Sequence, residues 1–140
     1  MSLPVASAFR MPVRIYWEDT DAGGIVFYAN YLKFFERART EWLRAKGCSQ
    51  ERLRVDAGTA FIVTDTSVRY LKPARLDDLL DVTVTVARIS PARVTVAQQA
   101  WRPEDGGPVL LAEGAIRIGC IELGTFKPRR IPNELLLAIQ

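Results

Sequence analysis

Residues 17–46 read WEDTDAGGIVFYANYLKFFERARTEWLRAK, and this stretch decides the fold. Its segment 19–24 holds Asp, Thr and paired Gly residues, which break regular structure and predict a loop. From residue 28 to 46, apolar residues recur at three- and four-residue steps, and charged residues fill most of the other face. This period predicts an amphipathic helix of about four to five turns, with Asn30 as N-cap and Gly47 just past its end. The stripe expected to face the core is Tyr31, Phe34, Phe35, Ala38, Trp42 and Ala45.

Alternating apolar residues outside this helix predict β-strands. Before the loop, Val13, Ile15 and Trp17 are expected to point to the core from one strand over 13–18. Glycines 114 and 119 are interpreted as bulges in the last strand. After the helix, the pattern predicts strands over 60–70, 80–87, 94–101 and 109–121, a hairpin loop over 103–108 and a short helix over 132–139.

The order and spacing of these elements predict the fold class. Short connections between the late strands imply antiparallel pairing, and one long helix with five or more strands is typical of an α+β domain. We therefore expect an antiparallel sheet of five or more strands wrapped around one long central helix. A length of 140 residues predicts a single domain over 1–140.

The chain contains no histidine. This excludes a Ser-His-Asp triad, a Cys-His pair and any metal site with histidine ligands. No metal site is expected, and catalysis must use carboxylates, hydroxyls, Lys, Cys or backbone groups. The two cysteines, Cys48 and Cys120, form no CxxC pair and are interpreted as reduced thiols.

Charge and hydropathy limit the partners and the location. The net charge is +3, and basic residues mostly alternate with acids, so a nucleic-acid partner is not expected. No segment reaches the roughly 18 apolar residues of a membrane span, and residues 1–12 lack the apolar stretch of a secretory signal. The predicted location is the cytoplasm.

The loop and the start of the helix resemble a known signature. The stretch 17–31, followed by FFERAR at 34–39, is similar to the 4-hydroxybenzoyl-CoA thioesterase family, and within it to the Tol-Pal system-associated acyl-CoA thioesterases. The resemblance implies a hot-dog fold that works as a dimer or a dimer of dimers. It also implies an acyl-CoA substrate, with no cofactor beyond the coenzyme A of that substrate. An acyl carrier protein is a further candidate partner.

The resemblance also assigns site residues. It implies that Asp21 is the catalytic carboxylate, that the Tyr28 backbone N–H is the oxyanion donor, and that Gly24 allows close approach of the substrate. Relatives often carry histidine at the position of Tyr28, so only the amide is expected to keep its role. Glu18 and Asp19 are interpreted as loop or strand-edge charges.

Basic residues outside the loop are candidates for the phosphates of coenzyme A, which Arg and Lys bind well. Arg88 and Arg93 flank the turn at Ser90, and the resemblance implies that basic residues there meet the nucleotide. Arg69 at the preceding strand end is a second candidate. Ser67 is expected to approach the acyl group. The apolar run 61–63 predicts a pocket wall.

Three functions fit this set of residues. A thioester has a good leaving group, so one carboxylate facing a helix N-terminus is a sufficient minimal site for hydrolysis. The alternative is a non-catalytic module that binds acyl-CoA or acyl carrier protein and is linked to cell-envelope maintenance. A hot-dog hydratase or dehydratase is disfavoured, because such enzymes generally use a histidine.

Overall fold

The computed structural model describes residues 8–140, and within them it has five strands and three α-helices. In chain order the elements are β1 (Phe9–Arg14), a 3-10 turn (Trp17–Asp19), α1 (Asn30–Ala45), α2 (Gln50–Ala57), β2 (Thr59–Tyr70), β3 (Leu79–Ser90), β4 (Arg93–Arg102), β5 (Val109–Glu122) and α3 (Asn133–Ile139). No helix in 8–140 has the length and apolar character needed to cross a membrane.

All five strands form one antiparallel sheet in the order β1-β3-β4-β5-β2. Strands β3, β4 and β5 follow one another as hairpin neighbours, whereas β2 crosses over to pair with the far side of β5. The predicted class, an α+β domain with five antiparallel strands, is confirmed. Among the described residues, β1 and β2 are the edge strands.

Helix α1 packs its aromatic face on the sheet, as its sequence period predicts. Phe34, Phe35 and Ala38 are fully buried, with Tyr31 and Trp42 nearly so. Each large apolar side chain buried in this way contributes on the order of 1.5–3 kcal/mol to folding. The sheet residues beneath the helix include Leu80, Val82, Val84, Val96 and Ala100.

The last turn of α1 differs from the prediction. Ala45 is exposed, and Leu43 is buried instead. Gly47 has φ +87°, a left-handed conformation that suits glycine, and its amide donates to Arg44 O at 3.0 Å. The predicted position of the helix end is therefore confirmed, while the last buried residue of the stripe is Leu43 rather than Ala45.

The predicted N-cap is wrong. Ala29 is the cap residue, in a right-handed helical conformation, and Asn30 is already the first residue of α1. The Asn30 side-chain amide donates to Asp19 Oδ1 at 3.2 Å. Asn30 therefore links the helix to the preceding turn rather than capping its own first turn.

The first strand also differs from the prediction. Strand β1 begins at Phe9 and ends at Arg14, and Trp17 lies in the 3-10 turn with 79% of its surface exposed. The cause is a hydrogen bond between residues three apart in the chain, in which the Tyr16 amide donates to Asp19 Oδ2 at 2.9 Å. That bond closes the turn and directs Trp17 away from the core.

Helix α2 was not predicted. None of its residues is buried, so it shows no apolar period that a sequence pattern could detect. Its ends do carry local signals: Ser49 Oγ accepts from the Arg52 amide at 3.4 Å, and Gly58 closes the helix at φ +58°. Local capping, rather than burial, defines this helix.

The predicted bulges at Gly114 and Gly119 are wrong, because both residues pair in regular register. The register shifts lie between Val63 and Asp65, between Val86 and Arg88, and between Ala100 and Trp101. Gly114 serves close packing instead. A Cβ atom there would lie 2.9 Å from Ser67 O and 3.4 Å from Phe35 Cε2.

We predict that Gly114→Ala lowers the free energy of unfolding by about 1–3 kcal/mol, because strand β2 and Phe35 must both shift to admit the methyl group. Gly106→Ala is the matched control, since a Cβ at Gly106 meets nothing within 4 Å. Urea unfolding of both variants beside the wild type measures the difference. Equal stability of the two variants would contradict this account of Gly114.

Candidate active site

Residues 20–26, called here the Asp21 loop, form a short antiparallel ribbon. Thr20 and Val26 make a β-bridge, and the Asp21 amide donates to Ile25 O at 2.9 Å. The Gly24 amide closes the turn by donating to Asp21 O at 3.0 Å, and Gly24 has φ +77°, which favours glycine. The backbone conformation of the turn therefore accounts for a glycine at position 24. The close approach of substrate to Gly24 stays a prediction.

The Asp21 carboxylate lies exposed at the tip of this loop. Its Oδ1 accepts a hydrogen bond from the Gly23 amide at 2.8 Å. Within residues 8–140, Oδ2 accepts no hydrogen bond. One oxygen thus fixes the orientation of the carboxylate while the other is open to an incoming water or thioester.

The Tyr28 backbone lies at the start of α1. Its amide donates no hydrogen bond to any residue in 8–140, and it precedes the first helical residue, Asn30, by two positions. Amides at a helix N-terminus carry partial positive charge and lack helical acceptors. The Tyr28 N–H is therefore available to bind an oxygen that gains negative charge.

Four aromatic rings surround the start of α1, and we call them the aromatic cluster: Phe27, Tyr28, Tyr31 and Tyr70. The Tyr28 ring is 62% exposed and lies 4.9 Å from the Phe27 ring and 5.9 Å from the Tyr70 ring, centroid to centroid. Tyr31 lies 5.5 Å from Tyr70, and its hydroxyl accepts from the Ala74 amide at 3.3 Å. Burial raises the pKa of Tyr31 and Tyr70, so both phenols stay protonated near neutral pH.

Asp19 holds the loop and the helix together. Asp19 is only 6% exposed. Its carboxylate accepts two hydrogen bonds, from the Tyr16 amide to Oδ2 and from Asn30 Nδ2 to Oδ1. Its backbone O accepts a third, from the Phe27 amide at 3.0 Å. The loop-charge interpretation of Asp19 misses this anchoring role. Asp19 follows Tyr16 by three residues, which is the spacing of a capping box. That spacing is the sequence signal from which the anchoring role of Asp19 could have been predicted.

The structure does not bring the candidate phosphate ligands to Asp21 within one chain. The Asp21 loop bridges through Ile25 to Arg75, close to the start of β3. Arg88 lies near the other end of β3, nine residues beyond Leu79, or roughly 30 Å along the strand. Arg93 pairs with Ser90 at the same far end, and both arginines are exposed. Their role stays a prediction.

Ser67 and Arg69 lie on β2, on the sheet face turned away from α1. Val68 between them packs against the core, and neighbours along a strand point to opposite faces. Arg69 lies 3.6 Å from Glu113 as an exposed ion pair, and Ser67 is opposite Ala115. Neither side chain joins Asp21 within one chain, so both roles also stay predictions.

A cavity of about 190 Å³ lies between α1, α3 and the first half of β2. Phe61, Ile62 and Val63 line it, which confirms the predicted apolar wall. Arg39 and Glu36 of α1 are among its polar lining residues. Among residues 8–140, no group of three or more cysteine or acidic side chains is placed to hold a metal ion.

The chain is similar to several known proteins. A family model described as the thioesterase-like superfamily matches residues 15–139. The acyl-CoA thioesterase YbgC of Haemophilus influenzae is 39% identical over 132 residues, which is 94% of each chain. The acyl-CoA thioester hydrolase YbgC of Escherichia coli O157:H7 is 39% identical over 128 residues, 91% of this chain and 92% of that protein.

A solved structure shares the same architecture. The 1,4-dihydroxy-2-naphthoyl-CoA thioesterase from Synechocystis superposes with a TM-score of 0.86 at 25% identity, over 95% of this chain and 96% of that one. The hot-dog fold implied by the sequence resemblance is confirmed by these likenesses.

We predict that Asp19→Ala lowers the free energy of unfolding by about 1–3 kcal/mol, because the part-buried amide of Tyr16 and the buried side-chain amide of Asn30 lose a charged acceptor. Asp105→Ala, at an exposed aspartate in the hairpin loop between β4 and β5, is the control and should change stability by less than about 0.5 kcal/mol. Urea unfolding compares them. If both variants unfold at the same midpoint, Asp19 does not anchor the loop.

Proposed function

The chain belongs to the thioesterase-like superfamily, and on that premise we propose that it hydrolyses an acyl-coenzyme A thioester to a free acid and coenzyme A. One observation carries the proposal. A carboxylate with one oxygen fixed and one open, Asp21, is held in the ribbon that leads directly to the unpaired Tyr28 amide at the start of α1. No metal and no resident cofactor are required.

The chemistry follows from these two groups. As a general base, Asp21 takes a proton from water while the water oxygen adds to the thioester carbonyl. As a nucleophile, the carboxylate itself adds to the carbonyl, loss of the thiolate leaves a mixed anhydride, and water then hydrolyses that anhydride. In both routes the C–S bond breaks when the tetrahedral adduct collapses, and the thiolate departs without a strong acid because the pKa of a thiol is only about 8.5. The absence of histidine is therefore compatible with turnover.

The Tyr28 amide supplies the second requirement, an oxyanion donor. The carbonyl oxygen gains negative charge when water or carboxylate adds, and a preorganised N–H there lowers the barrier by about 2.7–4 kcal/mol. The aromatic cluster beside it offers an apolar wall to the thioester. The Tyr28 ring belongs to that wall and takes no part in proton transfer.

We further propose that the protein is a homodimer that pairs two β2 edges, extended to a dimer of dimers. Strand β2 pairs only with β5 in the described chain and exposes Ile62 and Val63, an edge that must be covered to avoid aggregation. Antiparallel pairing of two such edges sets the first half of one β2 beside the second half of the other. The cavity at Phe61 then adjoins Tyr70 of the partner subunit.

This dimer also gives Arg88 and Arg93 a route to the substrate. Both lie at the end of the sheet opposite to the Asp21 loop of their own chain, roughly 30 Å along β3 from its start, so we propose that they bind the nucleotide of a substrate held by another subunit. Cys48 and Cys120 are free thiols, which supports a reducing compartment, and we propose the cytoplasm. An acyl carrier protein presents the same kind of thioester and is proposed as a second substrate carrier.

We predict that Asp21→Asn lowers the rate of thiol release from acyl-CoA at least about a hundredfold, because an amide can neither accept the proton nor attack. The fold should stay intact, since Asn retains an acceptor for the Gly23 amide. The measurement uses short, long and aromatic acyl-CoAs, with Glu18→Gln as the control for an exposed neighbouring acid. Tight binding without thiol release by the wild type would instead favour the non-catalytic binding module.

We predict that Tyr28→Phe keeps turnover within a few-fold, whereas Tyr28→Pro lowers kcat on the order of a hundredfold to a thousandfold. The first variant keeps the amide N–H. The second removes it at a position whose amide donates no hydrogen bond within residues 8–140, so no bond of the fold is lost. Thermal melting checks that both variants are folded. The oxyanion assignment fails if folded Tyr28→Pro retains wild-type kcat.

A further inference from the structure

We propose that the cavity lined by Phe61–Val63 binds the far end of the acyl group, and that Arg39 selects an end that carries oxygen, either a carboxylate or a hydroxyl. This inference rests on the proposed thioesterase function and names the substrate class of that same site. It concerns acyl selectivity, which neither the loop nor the Tyr28 amide determines.

The Arg39 guanidinium is fixed from behind by a neutral partner. Its Nη1 donates to Gln98 Oε1 at 2.9 Å, and Gln98 is fully buried. The Gln98 amide nitrogen in turn donates to Phe35 O at 3.0 Å and to Thr83 O at 3.4 Å. Gln98 therefore bonds to the helix and the sheet at once, and it holds the guanidinium in one orientation at the wall of the cavity.

Arg39 keeps donors for a ligand. Within residues 8–140 the bond to Gln98 is the only hydrogen bond of the Arg39 side chain, and no carboxylate oxygen lies within 4 Å of its nitrogens. Among residues 8–140, no buried side-chain nitrogen lacks a hydrogen-bond partner. The N–H groups of Arg39 that do not bond to Gln98 are therefore accessible. Burial lowers the pKa of Arg39, and the charge of exposed Glu36 partly offsets that effect. An arginine pKa still leaves the group charged at neutral pH.

The walls and the size of the cavity define the rest of the ligand. Phe61, Val63, Leu135 and Ile139 give it apolar walls. Arg39 is the one cation among its lining residues, and the exposed Glu36 is the one carboxylate. At about 190 Å³ it is smaller than the roughly 300–1,000 Å³ of pockets for drug-sized ligands, so it suits an acyl or aryl end and not a nucleotide. An apolar body with an oxygen at its end matches this lining, because a guanidinium binds carboxylates in a two-pronged manner.

The position of the cavity implies that it serves the Asp21 of the partner subunit. Arg39 is eleven residues beyond Tyr28, or roughly 16 Å along α1, which is too far for a short acyl group bound at the Tyr28 amide of the same chain. In the proposed β2-paired dimer, the cavity adjoins the aromatic cluster of the partner subunit. The thioester carbon then lies in one subunit's loop and the acyl end in the other's cavity.

The test measures binding in the Asp21→Asn background, where the thioester survives. Three acyl-CoAs of equal chain length, ending in methyl, hydroxyl or carboxylate, are titrated calorimetrically. We expect the two oxygen-ended compounds to bind at least about tenfold more tightly than the methyl-ended one. Adding Arg39→Met should abolish this preference, and adding Arg37→Met, at an exposed arginine of the same helix, should preserve it.

Each outcome decides the inference. Equal affinity for all three compounds, or a preference that persists in folded Arg39→Met, overturns it. Should Arg39→Met fail to fold, Arg39→Lys decides: a reduced preference for carboxylate supports the inference and an unchanged one overturns it. Thiol release by the wild type is measured separately, so a failed thioesterase proposal is distinguished from a failed assignment of Arg39.

Discussion

Burial of the aromatic face of α1 on the sheet is the constraint on which the rest of the structure depends. Phe34, Phe35 and Ala38 are fully enclosed, and Gly114 lacks a side chain because Phe35 and strand β2 fill its space. This packing fixes the position of the helix relative to the sheet. The helix N-terminus, and with it the Tyr28 amide, therefore has one location at one end of the sheet.

The functional loop depends on a second, polar constraint. Asp19 is buried where the 3-10 turn, the Asp21 loop and the first residue of α1 meet, and it accepts hydrogen bonds from Tyr16 and Asn30. A rigid anchor two residues before Asp21 limits how far that carboxylate can drift from the helix start. Enzymes gain much of their rate from such preorganisation, because reacting groups need no further ordering.

Gln98 is a fully buried polar side chain among the mainly apolar residues between the sheet and α1. A fully buried amide in the centre of a sheet costs free energy unless each of its groups is bonded, and here Phe35 O, Thr83 O and Arg39 provide the partners. The same arrangement places a cation at the wall of an apolar cavity. The proposed selection of the acyl end therefore uses the same pair of side chains, Arg39 and Gln98, that satisfies a buried amide.

The sequence by itself determined the long helix, the four late strands, the antiparallel class and the Asp21 loop, because periodicity and turn chemistry are local properties. Helix α2 could not be predicted because none of its residues is buried, so it has no apolar period. The predicted core position of Trp17 is wrong because the hydrogen bond between Asp19 and the Tyr16 amide closes a turn there. Only the tertiary structure decided which distant residues meet. It separated Arg88 from the Asp21 loop along the length of β3 and joined Arg39 to Gln98, because strand pairing and helix packing set contacts that spacing along the chain does not encode.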